Sequence, residues 1–190
     1  MMSEVLVAGN GPSRKNLDLS DFTTIGCNAI CRDIEVDFLV ACDKRMVKEA
    51  LSREIDPIYT RHRWKNTFDH PSIQALPELP YKGNARQDEP MNWGSGPYAI
   101  LLGAKLHSII NIIGFDLYGD NDKVNNIYKG TEGYSSSDSH AVDYSYWVYQ
   151  IAKVFEWFPH KTFRIYNKKD WKMPKEWNLA NVSLDTLDKL

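Results

Sequence analysis

The sequence predicts a single α/β domain with a mostly parallel sheet and helices on both faces, and three observations carry that prediction. Short continuous apolar runs, of which Glu4–Ala8 and Ser108–Phe115 are the clearest, suit strands buried on both faces. Helical segments alternate with those runs, the pattern of a parallel sheet with crossover helices. Polar residues then gather where the runs stop, at Gly9-Asn10, Asn28, Asp43 and Asp116–Tyr118. Open parallel sheets keep their ligands beyond the carboxyl ends of the strands.

Size and composition bound the problem. At 190 residues, 43% hydrophobic and 25% charged, the chain suits one globular domain with a real core. Its formal net charge of −2 gives no indication of a nucleic-acid partner, although a net value hides local patches. Cys27, Cys31 and Cys42 are odd in number and form no Cys-x-x-Cys pair, which reads as reduced thiols of a cytoplasmic protein. Met1-Met-Ser-Glu4 lacks a basic leader region, so no secretory signal is expected, and no run approaches the length of a membrane span. Nothing in the composition speaks against an oligomer.

The elements follow in order. Glu4–Ala8, Phe22–Asn28 and Asp37–Cys42 read as the first three strands. Lys44–Arg53 reads as a helix with Met46, Val47, Ala50 and Leu51 on one face and Asp43 as its N-cap. Pro57–Arg61 reads as a fourth strand. Across residues 62–93 prolines 71, 77, 80 and 90 interrupt every period, so this stretch reads as an irregular covering segment. Ala99–Leu106 is predicted as a helix, with Ser95 as N-cap and Pro97 in the tolerant first turn. Ser108–Phe115 is a strand and residues 116–139 a polar lid loop. Val142–Phe158 is a helix, because Trp147, Ile151, Val154, Phe155 and Phe158 share one face. Thr162–Tyr166 closes the domain as a strand. The domain therefore spans 1–170, and 171–190 reads as a C-terminal tail. That tail mixes lysines with Trp171 and Trp177; it reads as solvated with its aromatics packed on the domain, a composition also found in peripheral membrane contacts.

The opening loop Ala8-Gly-Asn-Gly-Pro-Ser13 carries the strongest chemical signal. Gly9 and Gly11 allow backbone amides to approach an anion, Asn10 and Ser13 add side-chain hydrogen bonds, and a helix starting near Ser13 would favour a phosphate. It is neither a dinucleotide fingerprint, since Arg14 replaces the third glycine, nor a Walker loop. Ser95-Gly96 repeats the logic at a second helix start. Asn28 is placed to reach a ribose or base, or else is a turn residue of unusual φ. Asp43 is a helix cap that a ligand could also touch. Tyr118, Tyr128 and Tyr134 can donate hydrogen bonds to a departing phosphate, and each is equally a packing residue when taken alone. His140 opens a helix after a long polar loop, a setting suited to a general base; His62, His70, His107 and His160 read as surface residues. Metal ligation has no His-x-x-x-His or Cys pair behind it. Asp116, Asp120 and Asp122 would hold Mg²⁺ only under a different chemistry.

Four blocks taken together resemble a known family. Ala8-Gly-Asn-Gly-Pro-Ser13, Gly26-Cys-Asn28, Gly94-Ser-Gly-Pro-Tyr98 with its following helix, and Ile112-Ile-Gly-Phe-Asp-Leu-Tyr118 look like the bacterial lipooligosaccharide sialyltransferases. The resemblance implies a single Rossmann-like domain with a shortened lid loop. It also implies a metal-independent, inverting glycosyltransferase that uses a nucleotide sugar of the CMP-sugar type, with no cofactor, and a glycan or other hydroxyl acceptor. By that resemblance Gly9, Asn10, Gly11, Ser13, Asn28, Asp43, Ser95, Gly96 and Asp116 would bind substrate. Tyr118 and Tyr128, with Tyr134 competing for the second place, would stabilise the leaving phosphate, and His140 would deprotonate the acceptor. Asp43 stands where the family carries an asparagine. The same loops also resemble the archaeal-type 6-hydroxymethylpterin diphosphokinases, in which Asp43 and Asp116 would hold Mg²⁺ for pyrophosphoryl transfer from ATP. A nucleotide-binding protein without turnover is the third reading.

Overall fold

The computed structural model describes residues 3–79, 93–119, 123–136, 138–140 and 143–190. Eight strands form one sheet: β1 (Glu4–Ala8), β2 (Thr24–Cys27), β3 (Phe38–Val40), β4 (Ile58–Thr60), β5 (Ile73–Ala75), β6 (Ile109–Ile113), β7 (Thr162–Asn167) and β8 (Val182–Thr186). Four α-helices accompany them: α1 (Lys44–Ser52), α2 (His62–Phe68), α3 (Ser95–Leu106) and α4 (Ser145–Trp157). The strand order is β5-β4-β3-β2-β1-β6-β7-β8 and every neighbouring pair is parallel. The chain thus winds outward from β1 in one direction to β5, then restarts at β6 on the other side of β1. This is a Rossmann-like α/β fold, and its topological switch point lies between β1 and β6.

Side-chain alternation along β1 builds the two cores. Val5 and Val7 join α3, α4 and Trp177 on one face, while Leu6 and Ala8 join Met46, Val47 and Ala50 of α1 on the other. All four of these β1 residues are buried, as a central strand covered on both faces requires. The face predicted for α4 is the buried one: Ile151, Val154 and Phe155 are fully enclosed and Phe158 nearly so, whereas Trp147 is only half-buried.

Three sequence expectations need correction. Residues 62–93 are not irregular throughout, because α2 and β5 lie within them; the helix is too short and polar to leave a period, with no fully buried residue. Residues 80–92 of that segment lie outside the described residues, as do Asp120, Asp122 and the predicted helix start at Val142. The second correction concerns the tail. Residues 182–186 add β8 to the sheet alongside β7, and the 3₁₀ turn Lys175–Trp177 plugs Trp177 beneath α4. The Trp177 side chain is fully buried and its indole N–H donates to the Val148 carbonyl at 2.9 Å. An edge strand with one exposed face has a weaker apolar pattern than a central one, so Val-Ser-Leu-Asp-Thr reads as polar. Third, Ser13 does not start an α-helix: only a three-residue 3₁₀ turn, Pro12–Arg14, follows β1.

Truncating Trp177 measures whether this terminal segment belongs to the core. Trp177→Ala is expected to cost about 3–5 kcal/mol and to remove the indole's hydrogen bond to the Val148 carbonyl. Urea unfolding monitored by far-UV circular dichroism reads this loss; a change within error of zero would return the segment to the status of a tail.

Candidate functional site

At the carboxyl ends of β1, β2, β3, β4 and β6 lies a cavity of about 400 Å³. Gly9, Asn10 and Gly11 follow β1, Asn28 follows β2, Asp43 follows β3, and Gly114–Leu117 follow β6; all line it together with Ser95 and Gly96 at the start of α3. The position matches the switch-point rule, and the volume falls within the range of small-molecule sites. Eight of the sequence-predicted residues are therefore brought to one place: Gly9, Asn10, Gly11, Asn28, Asp43, Ser95, Gly96 and Asp116.

The internal bonding differs from the expectation. Gly9 N–H donates to the Ile113 carbonyl and Gly11 N–H to the Gly114 carbonyl, each at 2.8 Å. Ser13 N–H is taken by Asp116 Oδ2 at 2.8 Å. These three amides hold the loop to the end of β6 and are not offered to a phosphate. The glycines answer a packing need: a Cβ on Gly9 would meet the Gly114 carbonyl oxygen at 2.5 Å, and one on Gly11 would meet Asp116 Oδ2 at 2.5 Å. Gly114 itself has φ +69 and faces the Gly9 oxygen, a backbone that only glycine adopts without strain.

Side chains on the wall are equally committed. Asn10 Nδ2 donates to the Cys27 carbonyl at 3.0 Å and its Oδ1 accepts from Arg14. Asp116 accepts from Asn167 through Oδ1 as well as from Ser13, so both carboxylate oxygens are occupied. Ser95 is not the N-cap of α3; Gly94 is, and Ser95 is the first helical residue. Its hydroxyl accepts the Cys42 N–H at 3.0 Å and donates to Asn28 Oδ1 at 2.8 Å, joining α3 to the ends of β3 and β2. Asp43 occupies the cap position of α1 but makes no side-chain cap bond, and it is exposed at the mouth. Two wall residues, Asn28 (φ 52) and Leu117 (φ 61), hold left-handed backbone. Asparagine tolerates this; leucine stores about 1–2 kcal/mol of strain there, as residues at binding sites often do.

Five predicted residues stand off the cavity. Ser13 is buried behind the loop with an unpartnered hydroxyl among the described residues. Tyr118 donates its hydroxyl proton to the Lys172 carbonyl at 2.7 Å and packs edge-on against Tyr144 in a neighbouring groove. Tyr128 is buried, its hydroxyl donating to Asp33 and accepting from Arg14 at 2.8 Å. Burial, with the Asp33 carboxylate beside it, pushes the Tyr128 phenol far above its usual value. Tyr134 is also turned inward, its oxygen accepting the Ala29 N–H. His140 is exposed and pairs with Lys123 through a backbone bridge.

The sequence reading missed Arg61, Trp93, Asn125, Asn126 and Trp147, all on the wall. Arg61 directly follows β4 and would have been found by the same strand-end rule that flagged Asp43 and Asp116. The two asparagines arrive because Ile127 N–H donates to the Asn10 carbonyl at 2.8 Å, docking residues 125–134 on the opening loop. Arg14 secures the same junction. It is 2% exposed, bonds the Gly9 carbonyl and Tyr128, and lies 3.7 Å from Asp33. No group of three or more metal-ligating side chains exists among the described residues.

Two outcomes follow. Gly114→Ala places a Cβ against the Gly9 oxygen and imposes positive φ on an alanine, so it is expected to cost about 2 kcal/mol or more, read by urea unfolding. Alkali is the second probe. Burial raises the Cys27 thiol from 9.0 to about 12 and the Tyr98 and Tyr134 phenols from 10.0 to about 12. In the unfolded chain these groups ionise first, so the stability they contribute is full below pH 9 and falls as pH rises from about 9 to 12. Thermal midpoints measured across that window should drop steadily; a flat profile would contradict the burial of all three. No protein-family model, curated protein or solved structure matches the chain, so its chemistry rests on these residues themselves.

Proposed function

We propose that the chain transfers a sugar from a nucleotide-sugar donor of the CMP-sugar type to an acceptor hydroxyl, with inversion and without a metal. The observation that carries the reading is the convergence of eight predicted residues on one cavity at the β1/β6 switch point. The first-turn amides of α3, at Ser95 and Gly96, have no partner within the helix by geometry. With the field of a twelve-residue helix behind them, they suit the nucleotide phosphate. Asp43 at the mouth suits sugar or ribose hydroxyls, since a carboxylate repels a phosphate. Trp93, Phe115, Trp147 and Ile151 supply an apolar wall that supports a base or ring and limits water.

The catalytic roles need a closing movement. His140 is the base in this reading, and it would have to move toward the mouth to meet the acceptor, while Ile127 and Tyr128 stay anchored to the opening loop. Tyr118 neighbours the wall residue Leu117 and would serve as donor to the departing phosphate by exchanging its bond to the Lys172 carbonyl. Tyr128, held between Arg14 and Asp33, acts as a positioning residue for that segment.

The diphosphokinase reading is favoured by one observation, the presence of Asp43 and Asp116 on the same wall. Against it, both oxygens of Asp116 already accept hydrogen bonds.

Thermal shifts with CMP, UDP, GDP and ATP, each with and without Mg²⁺, separate the readings. CMP at about one hundred times its dissociation constant should add about 2.7 kcal/mol of stability, a rise of roughly 5–10 °C, unchanged by chelator. A shift with ATP that requires Mg²⁺ would favour the diphosphokinase, and no response to any nucleotide would sink both. His140→Ala should abolish sugar transfer while keeping the CMP shift; wild-type turnover in that variant removes His140 as the base.

A further inference from the structure

The cavity mouth is bordered by cations, most of which have no carboxylate partner among the described residues. Lys44 and Arg45 directly follow Asp43, and His62 and Arg63 directly follow Arg61, so two wall residues of the cavity each lead into basic residues. The two segments meet over Trp64: the Arg63 guanidinium carbon lies 3.9 Å from the ring centroid and Lys44 Nζ 5.7 Å from it. The indole N–H is fixed by the Cys42 carbonyl at 2.8 Å. Arg45 extends the rim to the 125–134 segment through the Gly133 carbonyl at 2.7 Å. It also lines an open groove of about 640 Å³ in which four cations, Arg45, Lys48, Arg32 and Arg53, outnumber two carboxylates, Glu49 and Glu132.

Pairing on this face is one-sided. Glu49 takes both Arg32 and Arg53. Among the described residues Lys44, Arg45, Lys48, Arg63 and Lys65 have no ion pair, and all but the half-buried Lys65 are exposed. Lys44 and Arg45 also stand in the first turn of α1, which carries no acidic residue. Cations there oppose the helix macrodipole, so they detract from stability. A net charge of −2 conceals this local excess.

We propose that this rim is the docking surface for the phosphate backbone of a single-stranded nucleic acid, with a sugar hydroxyl of that strand as the acceptor at the cavity mouth. Clustered exposed cations meet repeated phosphates. A single strand is required because an acceptor group held in a duplex does not reach into a concave site. A membrane surface fits less well, since insertion needs apolar side chains beyond the cations. Here Trp64 is covered by Arg63, and Phe68 packs into the core. The acceptor role rests on the transfer reading; the docking surface does not.

The test uses the full chain and a labelled single-stranded oligonucleotide of about twenty nucleotides, followed by fluorescence anisotropy. Neutralising four phosphates, the wild type should lose affinity about 50-fold between roughly 50 and 200 mM salt. The variant K44Q/K48Q/R63Q/K65Q should bind at least about tenfold more weakly at the lower salt, with a nearly flat salt dependence. Its thermal midpoint should be unchanged or raised and its CMP shift retained, which separates lost docking from lost folding. No binding by the wild type, equal binding by the variant, or tighter binding to phosphatidylserine vesicles than to the oligonucleotide would each overturn the proposal. Oligonucleotide binding without any nucleotide shift would support the surface and overturn its acceptor role.

Discussion

Everything in the cavity depends on how β1 and β6 part company. The two strands are neighbours at the centre of the sheet, yet their following loops must diverge to open a crevice. Gly9 and Gly114 manage this by backbone contact so close that neither tolerates a Cβ. Two amide bonds of 2.8 Å from Gly9 and Gly11 then fix the register of the loops. Asp116 completes the junction by holding Ser13 on one side and Asn167, the last residue of β7, on the other. The Trp171 indole N–H adds a bond to the Asp116 carbonyl at 2.9 Å. Displacing any of these would carry Asn10, Arg14 and the wall of the cavity with it.

The frame was legible in the sequence wherever burial on both faces forced an unbroken apolar run. Glu4–Ala8 and Ile109–Ile113 are such runs, and both are central strands. Legibility failed at the sheet edges. β5 has three residues, and β8 alternates Val and Leu with Ser and Asp; neither carries enough apolar signal to stand out from loop composition. The C-terminal segment was misread for the same reason, although Trp177 hinted at a buried anchor.

For the cavity, the strand-end rule located the place but not the bonding. It placed Gly9, Asn28, Asp43 and Asp116 together because a parallel sheet aligns its carboxyl ends. It could not tell that the loop amides face β6, since a phosphate-binding loop and a close backbone crossing demand the same glycines. Arg14 shows the gap most clearly. In the sequence it is only the residue that spoils a glycine motif; in the fold it is a buried cation joining the opening loop to Tyr128 and Asp33. Low dielectric makes such a cluster costly unless its partners are all present, which favours a single arrangement of the 125–134 segment over many.

The strand order carries a further consequence for how the molecule comes into being. β1 and β6 are hydrogen-bonded neighbours, with Glu4 opposite Ile109 and Ala8 opposite Ile113, so the central pairing joins segments about a hundred residues apart. Contacts of that separation are slow to close. The units β1 to β5 can pair as they are made, but the crevice has only one side until β6 arrives against β1. The cavity is therefore among the last features to exist. A chain folded only through β5 has one wall of the crevice and no closed pocket, so the cavity itself marks the joining of the two halves of the sheet.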